Sequence, residues 1–93
     1  MELKVYSVLD KAVGAFLPPF YMRSDGEAIR SFAEACNDPK SLGKHTEDFT
    51  LFRLGSFDDG SGLFKCGEPE RVLSALEVRL SSDGVVVGTA GPN

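Results

Sequence analysis

Apolar and polar positions follow two different periods along this chain, and the change of period divides it. From Leu3 to Leu9 the period is two: Leu3, Val5 and Leu9 fall on one side, Tyr6 and Val8 on the other. That alternation predicts a first strand. Asp10 to Gly14 reads as a turn. Ala15 to Met22, AFLPPFYM, is apolar and aromatic, but Pro18 and Pro19 sit in its middle. Proline cannot donate to a ladder, so this stretch is predicted as an interrupted edge strand. The period then becomes helical. Ala28, Ile29, Phe32, Ala33 and Cys36 form one stripe on a helix predicted over Asp25–Cys36. Ser24 and Glu27 stand at capping-box spacing, with Glu27 expected to reach the cap amide. Pro39 ends the helix by disfavouring an α conformation at Asp38.

After a polar loop from Lys40 to Glu47, the strand period returns at Asp48–Phe57. One side of that strand carries Phe49, Leu51, Arg53, Gly55 and Phe57; the other carries Thr50, Phe52, Leu54 and Ser56. A strand apolar on both sides is expected to be central and covered on both. Asp58 to Gly62, DDGSG, supplies turn residues, and Leu63–Cys66 should return antiparallel. Glu68-Pro69-Glu70 reads as a break. Arg71 to Leu80 fits a helical period somewhat better than a strand period and is read as a short helix.

The predicted fold class is therefore α+β: a small, mostly antiparallel sheet in ββαββ order, one helix on one face, and a variable C-terminal segment. Residues 1–80 are expected to form a single domain. Residues 81–93, small and glycine-rich, are expected to form a mobile tail, with an edge strand at Val85–Val87 as an alternative. One helix covers one face only. Tyr6, Phe52 and Leu54 are accordingly read as an oligomer interface on the other, most simply that of a two-fold dimer.

Composition narrows the function classes. Apolar residues make up 42% of the 93-residue chain and charged residues 26%, which excludes wholesale disorder. Ten Lys and Arg against 14 Asp and Glu leave a net charge of −4. That balance disfavours strong non-specific binding to nucleic acid, which rests on neutralising phosphates. No stretch approaches a membrane span or a signal-peptide core, and two cysteines are too few for a disulfide scaffold. A protein of a reducing cytoplasm, away from membranes, is expected.

Catalytic and metal chemistry find no pattern here. Cys36, Cys66 and His45 lack zinc-ligand spacing. Asp58 and Asp59 lack the remainder of a calcium loop, and Gly60-Ser61-Gly62 is followed by neither lysine nor helix. The chain is read as neither an enzyme nor a cofactor carrier. A binding role has more support. Lys40, Lys44 and His45 cluster in one loop, and Arg53 projects from a strand among Phe49, Phe57 and Phe64. Aromatic rings with cations on a sheet hold single strands by stacking and phosphate contact, although on residue types alone the same rings read more readily as core and the same cations as solvated.

Two long stretches, VYSVLDKAVGAFLPPFYMRSDGEAIRSFAEACND and EDFTLFRLGSFDDGSG, resemble the small non-structural protein of gokushovirus-type microviruses, tailless phages with circular single-stranded DNA genomes. The likeness lies in the order of four pieces: the VYSV start, the AF–PF segment, the helix with its A-R-F residues, and the GSFD turn. It spans Lys4 to Gly62. The resemblance implies an accessory protein of the host cytoplasm that binds single-stranded DNA and acts in viral single-strand synthesis or genome packaging. Lys40, Lys44, His45 and Arg53 would be its nucleic-acid contacts. The acidic balance favours the alternative, a protein-interaction module that binds a viral or host replication or packaging protein without touching nucleic acid.

Overall fold

The computed structural model describes residues 1–43 and 45–82. The expected mobile tail and the Val85–Val87 strand, like Lys44, lie outside the described residues. Five strands form one antiparallel sheet: β1 (Glu2–Asp10), β2 (Ala15–Phe16), β3 (Phe20–Met22), β4 (Phe49–Asp58) and β5 (Leu63–Ser74). Helix α1 (Asp25–Cys36) follows β3, and a short helix α2 (Ala75–Ser82) follows β5. The two prolines cut the second predicted strand into β2 and β3, which pair with opposite ends of β1. The sheet then runs β1, β4, β5.

Helix α1 has the predicted bounds. The Ser24 hydroxyl accepts from the Glu27 amide at 3.2 Å. Glu27 accepts from the Arg23 amide at 3.0 Å, one residue before the cap, because the chain enters from β3 with that amide turned toward the helix. The apolar stripe packs as its spacing requires: Ala28, Phe32 and Cys36 are buried against Tyr6 and Val8 of β1, Leu51 of β4 and Leu73 of β5. Ala75 and Val78 of α2 complete this cluster.

Two expectations fail in β5. It continues from Leu63 to Ser74, through the supposed break at Glu68-Pro69-Glu70. Proline is tolerated there because β5 is the outermost strand, where an N–H facing solvent has no ladder partner to lose. The helix read over Arg71–Leu80 begins only at Ala75. Ser74 and Glu77 form a complete capping box at that point: the Ser74 amide donates to Glu77 at 2.8 Å, and the Glu77 amide donates to the Ser74 hydroxyl at 3.2 Å.

The irregularity that shapes the molecule lies at Leu54. Tyr6 pairs with Arg53 and Val5 with Gly55, so Leu54 is an extra residue on β4. A single extra residue reverses the side-chain alternation beyond it. Phe49, Leu51 and Arg53 face the helices, whereas Gly55 and Phe57 join Thr50 and Phe52 on the opposite face. The predicted alternation, which kept Arg53 and Phe57 on one side, is thereby corrected. Across from Leu54, β5 inserts Gly67, Glu68 and Pro69. Gly55 is required in this bend: a Cβ there would lie 2.2 Å from the Lys65 carbonyl oxygen.

Candidate functional site

The face opposite the helices is aromatic. Tyr21 is aligned with Val5, Phe57 with Leu3, and Phe64 with Phe57, which puts all three rings on one side. Their centroids are 5.9 Å (Tyr21–Phe57), 4.7 Å (Phe57–Phe64) and 6.4 Å (Tyr21–Phe64) apart. Farther along, Phe16 meets Phe52 edge to face at 5.5 Å. The floor between the two groups includes Val5, Ser7 and Thr50, all buried. Ser7 is satisfied by donating to the Leu17 carbonyl at 2.5 Å, which holds the proline segment against the sheet. Phe16, Tyr21 and Phe64 keep 43%, 41% and 54% of their surface in water. Exposed aromatic clusters of this kind are candidates for interaction surfaces.

The proposed oligomer residues are divided by the same geometry. Phe52 lies on the open aromatic face. Tyr6 does not: it is fully buried under α1, because its parity on β1 matches Arg53 and not Phe52. Leu54, at the bulge, lines a groove beside Arg53.

Arg53 is equally displaced from its predicted setting. It donates to Asp25 at 2.7 Å and to Glu70 at 2.5 Å. Asp25, in the first turn of α1, also accepts the Tyr6 hydroxyl. Burial works against the Asp25 charge, but the Tyr6 and Arg53 hydrogen bonds together outweigh it and hold the carboxyl below its ordinary range. The Tyr6 hydroxyl is pushed up, first by burial and then by the Asp25 carboxylate. Tyr6, Asp25, Arg53 and Glu70 thus form a chain of charge-assisted bonds, and the guanidinium is occupied at both ends.

The basic loop is not assembled as read. Lys40 is exposed, and its backbone amide donates to Asp38 at 2.9 Å. His45 is exposed too, with potential ligand atoms of Glu47 and Asp48 within 4.8 Å. Two carboxylates beside that imidazole oppose the approach of a phosphate. Sequence spacing did reveal these neighbours, at two and three residues from His45, but not that a short 3-10 turn at Thr46–Asp48 folds them together. The acidic turn behaves as read: Asp58 accepts from the Gly60 amide at 3.0 Å and from Ser61 at 2.9 Å.

On the helix side of the sheet, beyond the N-terminus of α1, the Leu54 bulge and the Gly67–Pro69 insertion frame an open groove of about 500 Å³. Lys4, Ser56 and Lys65 form one cross-strand row along it.

These features define a small α+β protein whose sheet has two unlike faces, one aromatic with the Arg71–Glu77 pair at its margin, the other helix-covered and charged. Residues 3–78 match the family described as Phage ORF5 protein, and the chain belongs to that family. It is thus a bacteriophage protein. Comparison with curated proteins gave no match. Comparison with solved structures gave none either. No helix among the described residues is long and apolar enough to cross a membrane.

Proposed function

We propose that this phage accessory protein, of gokushovirus-type microvirus origin, is a non-enzymatic module that binds single-stranded DNA. It would act in the host cytoplasm, in viral single-strand synthesis or genome packaging. The observation that carries this reading is the cluster of Tyr21, Phe57 and Phe64 on an open sheet face, with Phe16 and Phe52 beside it. Bases stack on such rings for about 1–3 kcal/mol each, whatever their sequence. Arg53 is spent on Asp25 and Glu70, so stacking supplies most of the affinity. The salt dependence is accordingly shallow, because few counterions are released.

Fluorescence anisotropy with a labelled oligothymidine tests this at ~50 mM and ~200 mM salt. Tyr21→Ala and Phe64→Ala should each weaken binding about tenfold, at the lower end of the stacking range, with thermal melts showing that both variants remain folded despite the lost ring contacts. Lys40→Glu should have a smaller effect.

A second reading is favoured by the net charge of −4 together with the pairing of Arg53 and Arg71 to carboxylates. In it the same aromatic face is the contact for a protein, either a viral or host replication or packaging factor or a second copy in a two-fold dimer. Absence of oligonucleotide binding at the lower salt would replace the first reading with this one. A dimer would then show as a doubled mass in light scattering.

A further inference from the structure

The groove on the helix side holds an unexplained arrangement. Lys4 pairs with Ser56 across β1 and β4, and Ser56 pairs with Lys65 across β4 and β5, so the three side chains share one row and one face. Neighbouring strands lie about 4.8 Å apart. The two lysine stems therefore rise roughly 10 Å from one another, on either side of the Ser56 hydroxyl. Lys4 is half-buried. Among the described residues none of these three side chains forms an ion pair or a hydrogen bond, and Lys4 feels the Asp25 carboxylate only at longer range. Arg53, at the groove's end, is different: it is satisfied twice over. Two ammonium groups and a hydroxyl side by side on one row suit an oxyanion, which can accept from all three.

We propose that the Lys4–Ser56–Lys65 row is a seat for a phosphoryl dianion, either free phosphate or the phosphate of a small monoester such as a mononucleotide. The rim decides between a small ligand and a polymer. Glu2, Glu68 and Glu70 surround the groove. A strand carrying successive phosphates would bring several of its charges against those carboxylates, whereas a monoester sets only one phosphoryl group against them. The groove's volume admits a group of nucleotide size. The seat lies on the face opposite Tyr21, Phe57 and Phe64, so it is independent of the DNA reading and neither stands on the other.

Amide chemical-shift titration of the full chain with inorganic phosphate, with a deoxynucleoside 5′-monophosphate, with the unphosphorylated nucleoside and with sodium chloride at matched ionic strength tests the seat. Saturable shifts confined to Lys4, Ser56, Lys65 and their neighbours are expected with the two phosphates and not with the other two. Equal affinity for both phosphates identifies free phosphate as sufficient; tighter binding of the nucleotide identifies the monoester. Lys4→Gln and Lys65→Gln should each weaken binding by about tenfold, as loss of a charged hydrogen bond does, with thermal melts showing that both variants fold. Affinity should also fall below about pH 6, where the dianion gains a proton. Non-saturating shifts that match sodium chloride, saturation at other residues, or unchanged affinity in both folded variants would overturn the proposal.

Discussion

Replacing Tyr6 with Phe isolates one bond of the charged chain beneath α1. The ring remains fully buried and stacked on Phe20 at a centroid distance of 5.7 Å, so apolar packing is retained and only the hydroxyl is lost. That hydroxyl donates to the Asp25 carboxylate, and hydrogen bonds to charged groups contribute about 1.5–3 kcal/mol. The Asp25 side chain is 40% exposed and keeps Arg53, which places the loss at the low end, near 1.5 kcal/mol. In a domain of this size that corresponds to roughly 6–12 °C in melting temperature. Urea unfolding followed by circular dichroism near pH 7 measures it, and a double-mutant cycle with Asp25→Ala should return a coupling close to the same value.

The pH dependence has a defined sign. The Asp25 pKa is lower folded than unfolded, so its stabilisation is present above the unfolded carboxyl value near 3.9 and is lost as pH falls through the lower folded value. The gap between wild type and Tyr6→Phe should therefore be constant from about pH 7 to 5 and narrow below about pH 4. A loss under about 0.5 kcal/mol at neutral pH, or a gap that widens in acid, would refute the reasoning.

Phe32→Ala, which empties the centre of the α1 stripe at a residue 2% exposed, should lower unfolding free energy by about 3–5 kcal/mol in the same urea assay. Gly55→Ala forces β4 and β5 apart at a 2.2 Å contact and should cost about 3 kcal/mol or more, whereas Gly62→Ala meets no neighbour and loses only about 1 kcal/mol for its positive φ; equal melting temperatures for the two would contradict the bulge geometry. Cys66 is exposed and should react with a thiol reagent in the native protein, while Cys36, buried with its thiol pushed up to about 11, should react only on unfolding.

Helix α1 and strands β1 and β4 were legible in the sequence because each carries a long, uninterrupted period with a chemical stop. Ser24 and Pro39 bracket the helix, and the proline pair divides β2 from β3. The β5–α2 boundary was obscured by Pro69, a residue whose meaning depends on whether the strand is central or outermost. Ser74 and Glu77 carried the signal that would have corrected it. The candidate site was legible in its residue types but not in its assembly. Phe57 and Phe64 read more readily as core than as binding rings, and Arg53 was placed among them because alternation cannot reveal an extra residue at Leu54. The row Lys4–Ser56–Lys65 joins three distant positions through registers that only pairing across that bulge establishes.

The prolines have a consequence for the protein in bulk. Pro18 and Pro19 interrupt one margin of the sheet, and Pro69 lies in the strand at the other. A row of donors that stops at either margin offers no template for a further strand. Extended pairing of chain upon chain, the route by which aromatic β-proteins become fibres, is interrupted at both margins.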